Sequence, residues 1–562
     1  MVTIAVNKAN WEVARFVDVP AELVDYNFVI AQLLLKRGID SKQAAERFLS
    51  PDLTKLADPK LIAGLIVAVE RIRKAVENQE QVVVYGDYDV DGVTSSTVLI
   101  GVLKELGLKA QVYLPERLSE GYGLNAKALD KLKAAGCELV ITVDNGTVAV
   151  DEIAHANSLG MEVIVIDHHE PHGEMPDAVA IVNPKLKDSK YPFRECAAVG
   201  VVYHLARELV GEDEAQKYLD LVAIGTIADV VGLVEDNRVF AVEGLRRLNS
   251  TTRPGLRSLM AVAGIGEKEV EAYHIGFQIG PRINAAGRID HARLAFDVLN
   301  AEDDKQAMLV AEQLNNLNSS RQELSSQMLI AAQVQAETSN KKVIVVGSER
   351  WSIGVAGIVA GRLVEQFAKP ALVFEFRDGK AKGSARSVDG VHLVELISEV
   401  EELVEQFGGH AKAAGLEVEL DRFEEFRVAL ENKADQIADE LLVSKVSLEM
   451  WLAADQINME LADRLEKLAP YGFGNPTPTF GVMGMSYVSC QPFGNDRFAK
   501  FLFKDDGGKY LELVHFGEWK ELALEMEVGK RYDVAFNMGV SIWRDRKFLQ
   551  LKLVAIRDQA SN

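Results

Sequence analysis

Three short apolar runs, each closed by a cluster of acids or histidines, constrain this chain more than any other feature of its sequence. The run 82–85 (VVVY) gives way to Gly86-Asp87-Tyr88-Asp89-Val90-Asp91-Gly92. The run 139–143 (LVITV) leads into Asp144-Asn145-Gly146, and 163–166 (VIVI) into Asp167-His168-His169. β-Branched runs of this length read as strands buried on both faces. The stretch 95–106 between the first two reads as a helix. Buried strands alternating with helices imply a parallel sheet covered on both sides. Open sheets of that kind carry their sites beyond the carboxyl ends of the strands, where all three clusters fall. A fourth acid, Asp229, lies inside the apolar run 223–231 (AIGTIADVV). A carboxylate is costly to bury alone, so it needs a ligand or capping role.

Asp87, Asp89 and Asp91 fall within five residues, and such charges usually need a cation between them. A solvated acidic turn is the alternative. An EF-hand is excluded, because its twelfth position holds Val98 and not Glu. Asp-Asn-Gly by itself is an ordinary turn. Tandem histidines after a strand suit a borderline cation such as Mn²⁺, and the acid before them suits orienting an imidazole. If the four clusters, Asp229 included, lie at successive strand ends and converge, mostly oxygen ligands with an imidazole point to two Mn²⁺ or Mg²⁺ ions. Two such ions activate water and neutralise a phosphoryl oxygen, so hydrolysis of a phosphodiester or phosphoanhydride is the expected chemistry.

The rest of the chain divides by pattern. Residues 1–78 read as a mostly helical region, broken at Pro51 and Pro59, and 79–300 as the α/β domain just described. Residues 303–338 lack Gly and Pro and read as one helix of roughly 54 Å, a coiled coil or a spacer, within a connecting segment 301–340. A smaller α/β domain is expected over 341–440. Short strands at 479–485, 498–503, 510–515, 532–538 and 548–556, with one helical insertion, suit an OB-like barrel over 441–562.

Charge does not exclude nucleic acid. The 62 Lys and Arg against 84 Asp and Glu leave a net charge of −22, which disfavours phosphate contact in general. The last 122 residues, however, carry 15 basic and 16 acidic side chains, so the acidity lies elsewhere. Three cysteines without a CxxC pair argue against a disulfide framework or a cysteine-based zinc site and fit a reducing cytoplasm. With no basic-then-apolar leader and no long uncharged apolar run, no membrane span is expected.

Together the motifs DYDVDG, VDNG, DHH and GTIAD resemble the DHH phosphoesterase superfamily and, within it, the RecJ family of single-strand-specific exonucleases. Further segments carry the same resemblance: Arg117 with EGYGL at 120–124, PRINAAGR at 281–288, WSIGVAGI at 351–358, GSARS at 383–387, GGHAKAAG at 408–415 and PYGFGNP at 470–476. The likeness spans about residues 20–560, in family order. It implies a parallel-sheet DHH domain joined by a long helix to a DHHA1 domain, then an OB-like barrel. The implied activity is 5′-to-3′ exonuclease action on single-stranded DNA, releasing 5′-mononucleotides, in recombination and repair. A small-substrate phosphodiesterase and an inactive DNA-binding scaffold are the rivals.

Residue by residue, the resemblance implies that Asp89, Asp91, Asp144, His168 and Asp229 ligate two Mn²⁺ or Mg²⁺ ions, with Asp144 bridging. Asp87, His169 and Asp167 form the expected catalytic set, His169 near the scissile phosphate and Asp167 orienting rather than ligating. Arg117, Ser384 and Arg386 are expected at the 5′-terminal phosphate, and Asn284, Arg288 and His410 along the substrate path. Tyr85 stands where related phosphoesterases often have His, so one ligand is expected to be missing. The chain ends soon after the barrel, whereas longer relatives continue, so partner contacts attributed to that extension are not carried over. Single-strand-binding protein and a helicase are the conceivable protein partners.

Overall fold

The computed structural model describes residues 9–116, 120, 121, 123–266, 268–544 and 546–559. The chain forms two compact units. One comprises Ile39–Arg321 with Pro470–Pro476, the other Met1–Gly38, Gln322–Ala469 and Thr477–Asn562.

The first unit is built on a five-stranded sheet in the order Gln111–Tyr113, Val82–Tyr85, Leu139–Val143, Glu162–Ile166, Ala180–Val182. Every pairing in it is parallel, as the apolar runs predict. The strand formed first in the chain lies between the second and the third, so the order reverses at the seam between Val82–Tyr85 and Leu139–Val143. Loops leaving the carboxyl ends of these two strands diverge there and leave a crevice. Asp87 and Asp89 follow one strand and Asp144 follows the other. Apolar clusters pack on both faces, including Val84, Ile141, Ile164 and Phe240 in one and Val83, Val140, Val163 and Leu129 in the other.

Two local readings change. The helix expected over 95–106 runs Val90–Glu105, one and a half turns earlier. Asp89 is its N-cap, its side chain accepting from the Gly92 N–H at 3.1 Å, which lets the helix begin inside the acidic motif. Asp229 does not follow a strand. It caps the C-terminus of the buried helix Leu219–Ala228, whose all-round apolar sequence resembles a strand run.

The second unit holds a sheet in the order Gln406–His410, Ala413–Glu419, Lys380–Arg386, Ala371–Arg377, Ile344–Ser348, parallel only at its last pair. It also holds a barrel. Thr479–Phe493, Phe498–Lys504, Tyr510–His515, Arg546–Asp558 and Arg531–Trp543 pair in succession, and the first pairs with the last to close the ring. The five expected strands and the helical insertion, Lys520–Glu525, are all present. Among its described residues, the region expected to be mostly helical also contains a strand, Asn10–Val13, which pairs in parallel with Lys445–Leu448. Four residues of mixed polarity carry no period, and their partner lies near the other end of the chain, so local pattern does not reveal them. The long helix forms over Asp304–Glu337. Val310, Ala311 and Leu314 pack into the first unit's core, while Met328, Ala332 and Ala336 pack into a core of the second.

Candidate metal centre

The acidic motif is held by a neighbouring helix. Asp91 is fully buried, and its two carboxylate oxygens accept from the backbone N–H groups of Ala198 and Val199 at 2.7 and 2.9 Å. These are the first amides of the helix Ala198–Val210, where unpaired donors and the helix dipole favour an anion. Close approach of the helix carrying Asp229 depends on Gly225, where a Cβ would lie 2.4 Å from Thr94 Oγ1 and 3.0 Å from Asp91 Oδ1.

The other two strand ends meet it. Asp144 has φ 65°, a left-handed backbone that Asp and Asn tolerate better than most residues. The turn is fixed by Asn145, whose amide donates to the Val143 carbonyl at 2.9 Å. Asp167 is used up as a scaffold. Its Oδ1 accepts from the His168 and His169 amides and from His169 Nδ1 at 2.7 Å, and its Oδ2 accepts from the Thr147 N–H at 2.9 Å. Asp167 therefore holds His169 in place. His168 Nδ1 lies 3.0 Å from the Cys196 carbonyl. That carbonyl only accepts, so Nδ1 carries the proton and Nε2 presents its lone pair.

His168 Nε2 stands 3.3 Å from Asp144 Oδ1 and 3.8 Å from Asp229 Oδ2. Both His168 Nε2 and Asp229 Oδ2 are buried without a hydrogen-bond partner. Three electron-pair donors thus converge, two of them without a hydrogen-bond partner, an arrangement that fits a cation. Ligand atoms of Asp91, His168 and Asp229 lie within 4.8 Å of one another, as do those of Asp144, His168 and His169, and those of Asp87, Asp89 and Asp144. Asp144 and His168 each belong to two of these sets, so the residues can hold two neighbouring ions.

Electrostatics agree with this fit. Burial, then repulsion from neighbouring aspartates, pushes Asp91 up to about 7 and Asp229 up to about 9, and raises Asp144 well above the carboxylate range. Burial and the charge of His169 depress His168 to about 4, which keeps it neutral and able to ligate. Burial alone would raise Asp167, but its bonds to His169 and to the Thr147 amide hold it below the usual range. For His169, burial is outweighed by the bond to Asp167, and its value is raised.

A cavity of about 370 Å³ opens on the cluster, lined by Asp87, Tyr88, Asp89, Asp144, His169, Ala228, Asp229, Asn284 and Arg288. Seven of these nine belong to the expected site. Asp91, His168 and Asp167 lie behind them. Asn284 and Arg288 come from the helix Gly280–Ile289, which approaches the acidic loop at Gly287. A Cβ there would lie 2.6 Å from the Tyr88 carbonyl oxygen. Gly287→Ala is therefore expected to displace this helix, raising KM several-fold and costing about 1–3 kcal/mol of stability. Steady-state kinetics and denaturant melts check this, and a variant matching wild type in both would refute the close-approach argument.

Ser384, Arg386 and His410 belong to the second unit and not to this cavity. Arg386 Nη1 lies 3.5 Å from Ser384 Oγ, and both side chains crowd Gly357, where a Cβ would lie 2.9 Å from Ser384 Oγ and 3.0 Å from Arg386 Nη2. His410 is in register with Ala413, which is in register with Arg386, so these residues share one end of the sheet. Arg117 lies outside the described residues. Tyr85 is no ligand. It is fully buried, with its hydroxyl 3.1 Å from the Gly123 carbonyl and 3.2 Å from Asn125 Nδ2. Arg282 serves packing, bonding to Asn315, the Gln278 carbonyl and the Val262 carbonyl.

Sequence reading missed Tyr88, Ala228 and the Cys196 carbonyl. A backbone carbonyl leaves no residue-type signal, although Tyr88 lay inside a quoted motif. A further buried set, Cys196, His204 and Asp236, lies close enough to hold a metal, but hydrogen bonds already occupy its imidazole and carboxylate. Arg207 Nη1 donates to His204 Nδ1 at 3.0 Å, His204 Nε2 donates to the Tyr191 hydroxyl at 3.0 Å, and that hydroxyl donates to Asp236 at 2.6 Å.

Residues 81–226 match the DHH family N-terminal domain, 340–436 the DHHA1 domain and 448–555 the RecJ OB domain. The chain is 37% identical to the single-stranded-DNA-specific exonuclease RecJ of Bacillus subtilis, over 97% of this chain and 70% of that protein. It is 32% identical to RecJ of Escherichia coli, over 96% of this chain and 97% of that one. The chain belongs to the RecJ family. RecJ of Thermus thermophilus in complex with Mn²⁺ matches its structure with a TM-score of 0.84 at 28% identity, covering 98% of this chain and 80% of that chain. An exonuclease RecJ bound to manganese matches with a TM-score of 0.60 at 34% identity, over 67% of this chain and 96% of that one. The RecJ fold thus extends over both units. Among the described residues, no helix is long and apolar enough to cross a membrane.

Proposed function

We propose that this RecJ-family chain is a divalent-cation-dependent exonuclease that hydrolyses single-stranded DNA from its 5′ end. The observation that carries the reading is the convergence of His168 Nε2, Asp144 Oδ1 and Asp229 Oδ2, with the first and the last buried and lacking a hydrogen-bond partner. Asp87, Asp89, Asp91, Asp144, His168 and Asp229 would hold Mn²⁺ or Mg²⁺, the ions in the Thermus thermophilus RecJ structures. Bound in pairs, such ions lower the pKa of a water and neutralise charge on a phosphoryl oxygen.

The chain's own groups supply the rest. Asp167 accepts from His169 Nδ1 and favours the imidazolium, in which the other ring nitrogen also carries a proton and would donate to a phosphate oxygen. Arg288 and Asn284, which line the same cavity, would bind the phosphate, the guanidinium through charge-assisted bonds. Attack on phosphorus breaks the P–O3′ bond. The departing O3′ takes a proton, the terminal residue leaves as a 5′-mononucleotide, and the shortened strand keeps a 5′-phosphate. Arg117, Ser384, Arg386 and His410 would hold the 5′-terminal region and the path of the strand, as the family motifs imply. The OB barrel would hold the strand farther from its end. Single-strand-binding protein and a helicase would then act upstream, by presenting single strands.

End-labelled single-stranded and blunt duplex DNA, with Mn²⁺ or chelator, test this. Metal-dependent release of mononucleotides from the 5′ end of the single strand alone is expected. Cleavage confined to oligonucleotides of two to five residues would replace the reading with a small-substrate phosphodiesterase, and strand binding without hydrolysis would leave a scaffold.

A further inference from the structure

Tyr273 and Phe277 are large aromatic side chains left 57% and 70% exposed. Their rings stack on each other, with centroids 4.9 Å apart and planes 28° apart. Neither belongs to the site described above. They sit on one continuous helical segment made of Ala272–His274, the wider π-turn Ile275–Ile279 and the helix Gly280–Ile289. Pro281 explains the wide turn. It has no N–H to donate, and its ring would collide with the carbonyl four residues before it in a regular helix. The turn widens, and the Gly280 N–H bonds to the Ile275 carbonyl instead. π-Turns of this kind recur at functional sites.

This segment leads directly to the cavity. Asn284 and Arg288, two turns and more beyond Phe277, line it. Exposed or half-buried positions 273, 277, 281, 284 and 288 recur at three- and four-residue spacing, while 275, 279, 283 and 286 are buried. At ~1.5 Å per residue, Phe277 lies about 10 Å along the axis from Asn284 and Tyr273 about 16 Å. Stacked nucleotides rise about 3.4 Å each.

We propose that Tyr273 and Phe277 form a stacking platform for the substrate's single strand, about three to five nucleotides from the bond being cut. The inference rests on the exonuclease reading. Stacking also suits the chain's charge. At a net charge of −22, a grip through phosphates alone is weak, whereas ring-on-base contact needs no positive charge and tolerates any sequence. A duplex keeps its bases paired and offers the platform no free ring faces, so the contact selects single strands.

Tyr273→Leu/Phe277→Leu keeps apolar bulk without rings, and Tyr273→Trp/Phe277→Trp keeps the rings. The expected result in Mn²⁺ is a ~5- to 100-fold rise in KM for a twelve-nucleotide strand with the Leu pair, a much smaller change for a trinucleotide, and near wild-type KM with the Trp pair. In addition, 2-aminopurine placed three to five nucleotides from the 5′ end should be quenched on binding wild type and brighter on the Leu pair. An unchanged KM for the long strand, or equal losses at both lengths, overturns the platform. If wild type degrades neither strand, the exonuclease reading fails first.

Discussion

Asp144→Asn should lower kcat for single-stranded DNA by at least ~10³-fold, about 4 kcal/mol of transition-state stabilisation. Asn is the right replacement, because the backbone at Asp144 is left-handed (φ 65°) and Asn accepts that geometry as readily as Asp. The change removes one negative charge from the group shared by two of the three ligand sets. It also relieves repulsion, since Asp144 is buried among Asp91, Asp89, Asp87 and Asp229. The metal-free variant should therefore melt higher than metal-free wild type while being almost inactive. Single-turnover hydrolysis and thermal melts in chelator check both halves. Activity within tenfold of wild type would sink the assignment of Asp144.

The second large effect is on stability. Mn²⁺ at about a hundred times its dissociation constant should stabilise the protein by ~2.7 kcal/mol, raising the melting transition of the unit that holds the site by roughly 5–10 °C. The shift should depend on pH in one direction. Asp91 and Asp229 reach about 7 and about 9 when folded without metal, against ~3.9 unfolded. The unfolded chain gives up these protons first. Metal-free stability is thus lost as pH rises from about 4 through 7 to 9. A cation that binds the ionised carboxylates restores it, so the Mn²⁺ shift should grow from pH 6 to pH 9. Differential scanning fluorimetry with Mn²⁺ against EDTA measures it. Equal transitions in both would remove the metal centre, whatever the activity assays report.

Much of this was legible locally. Each apolar run with its terminal cluster placed a strand and a ligand group, because burial on both faces demands unbroken β-branched runs and a parallel sheet leaves its polar residues at strand ends. Asp87, Asp89, Asp144 and the two histidines were found that way. Asp229 was found for a different reason, the cost of a carboxylate in an apolar run, and the sequence misplaced it at a strand end because a helix buried all round has no period to separate it from a strand. Asn284 and Arg288 came from the family motif, since nothing in a lone Asn or Arg marks it as lining a cavity.

The sequence by itself determined the strands, the chemical nature of the ligand groups, the long helix and the five strands of the barrel. All of these depend on local spacing of apolar and charged side chains. Only the tertiary structure decided the strand order that opens a crevice between Asp89 and Asp144, the amides that clasp Asp91, the Cys196 carbonyl that fixes the His168 tautomer, and the exposure of Tyr273 and Phe277 beside the cavity. Those features join residues far apart in the chain through backbone groups common to every amino acid, and a pattern of side chains cannot record where a backbone carbonyl or amide will come to rest.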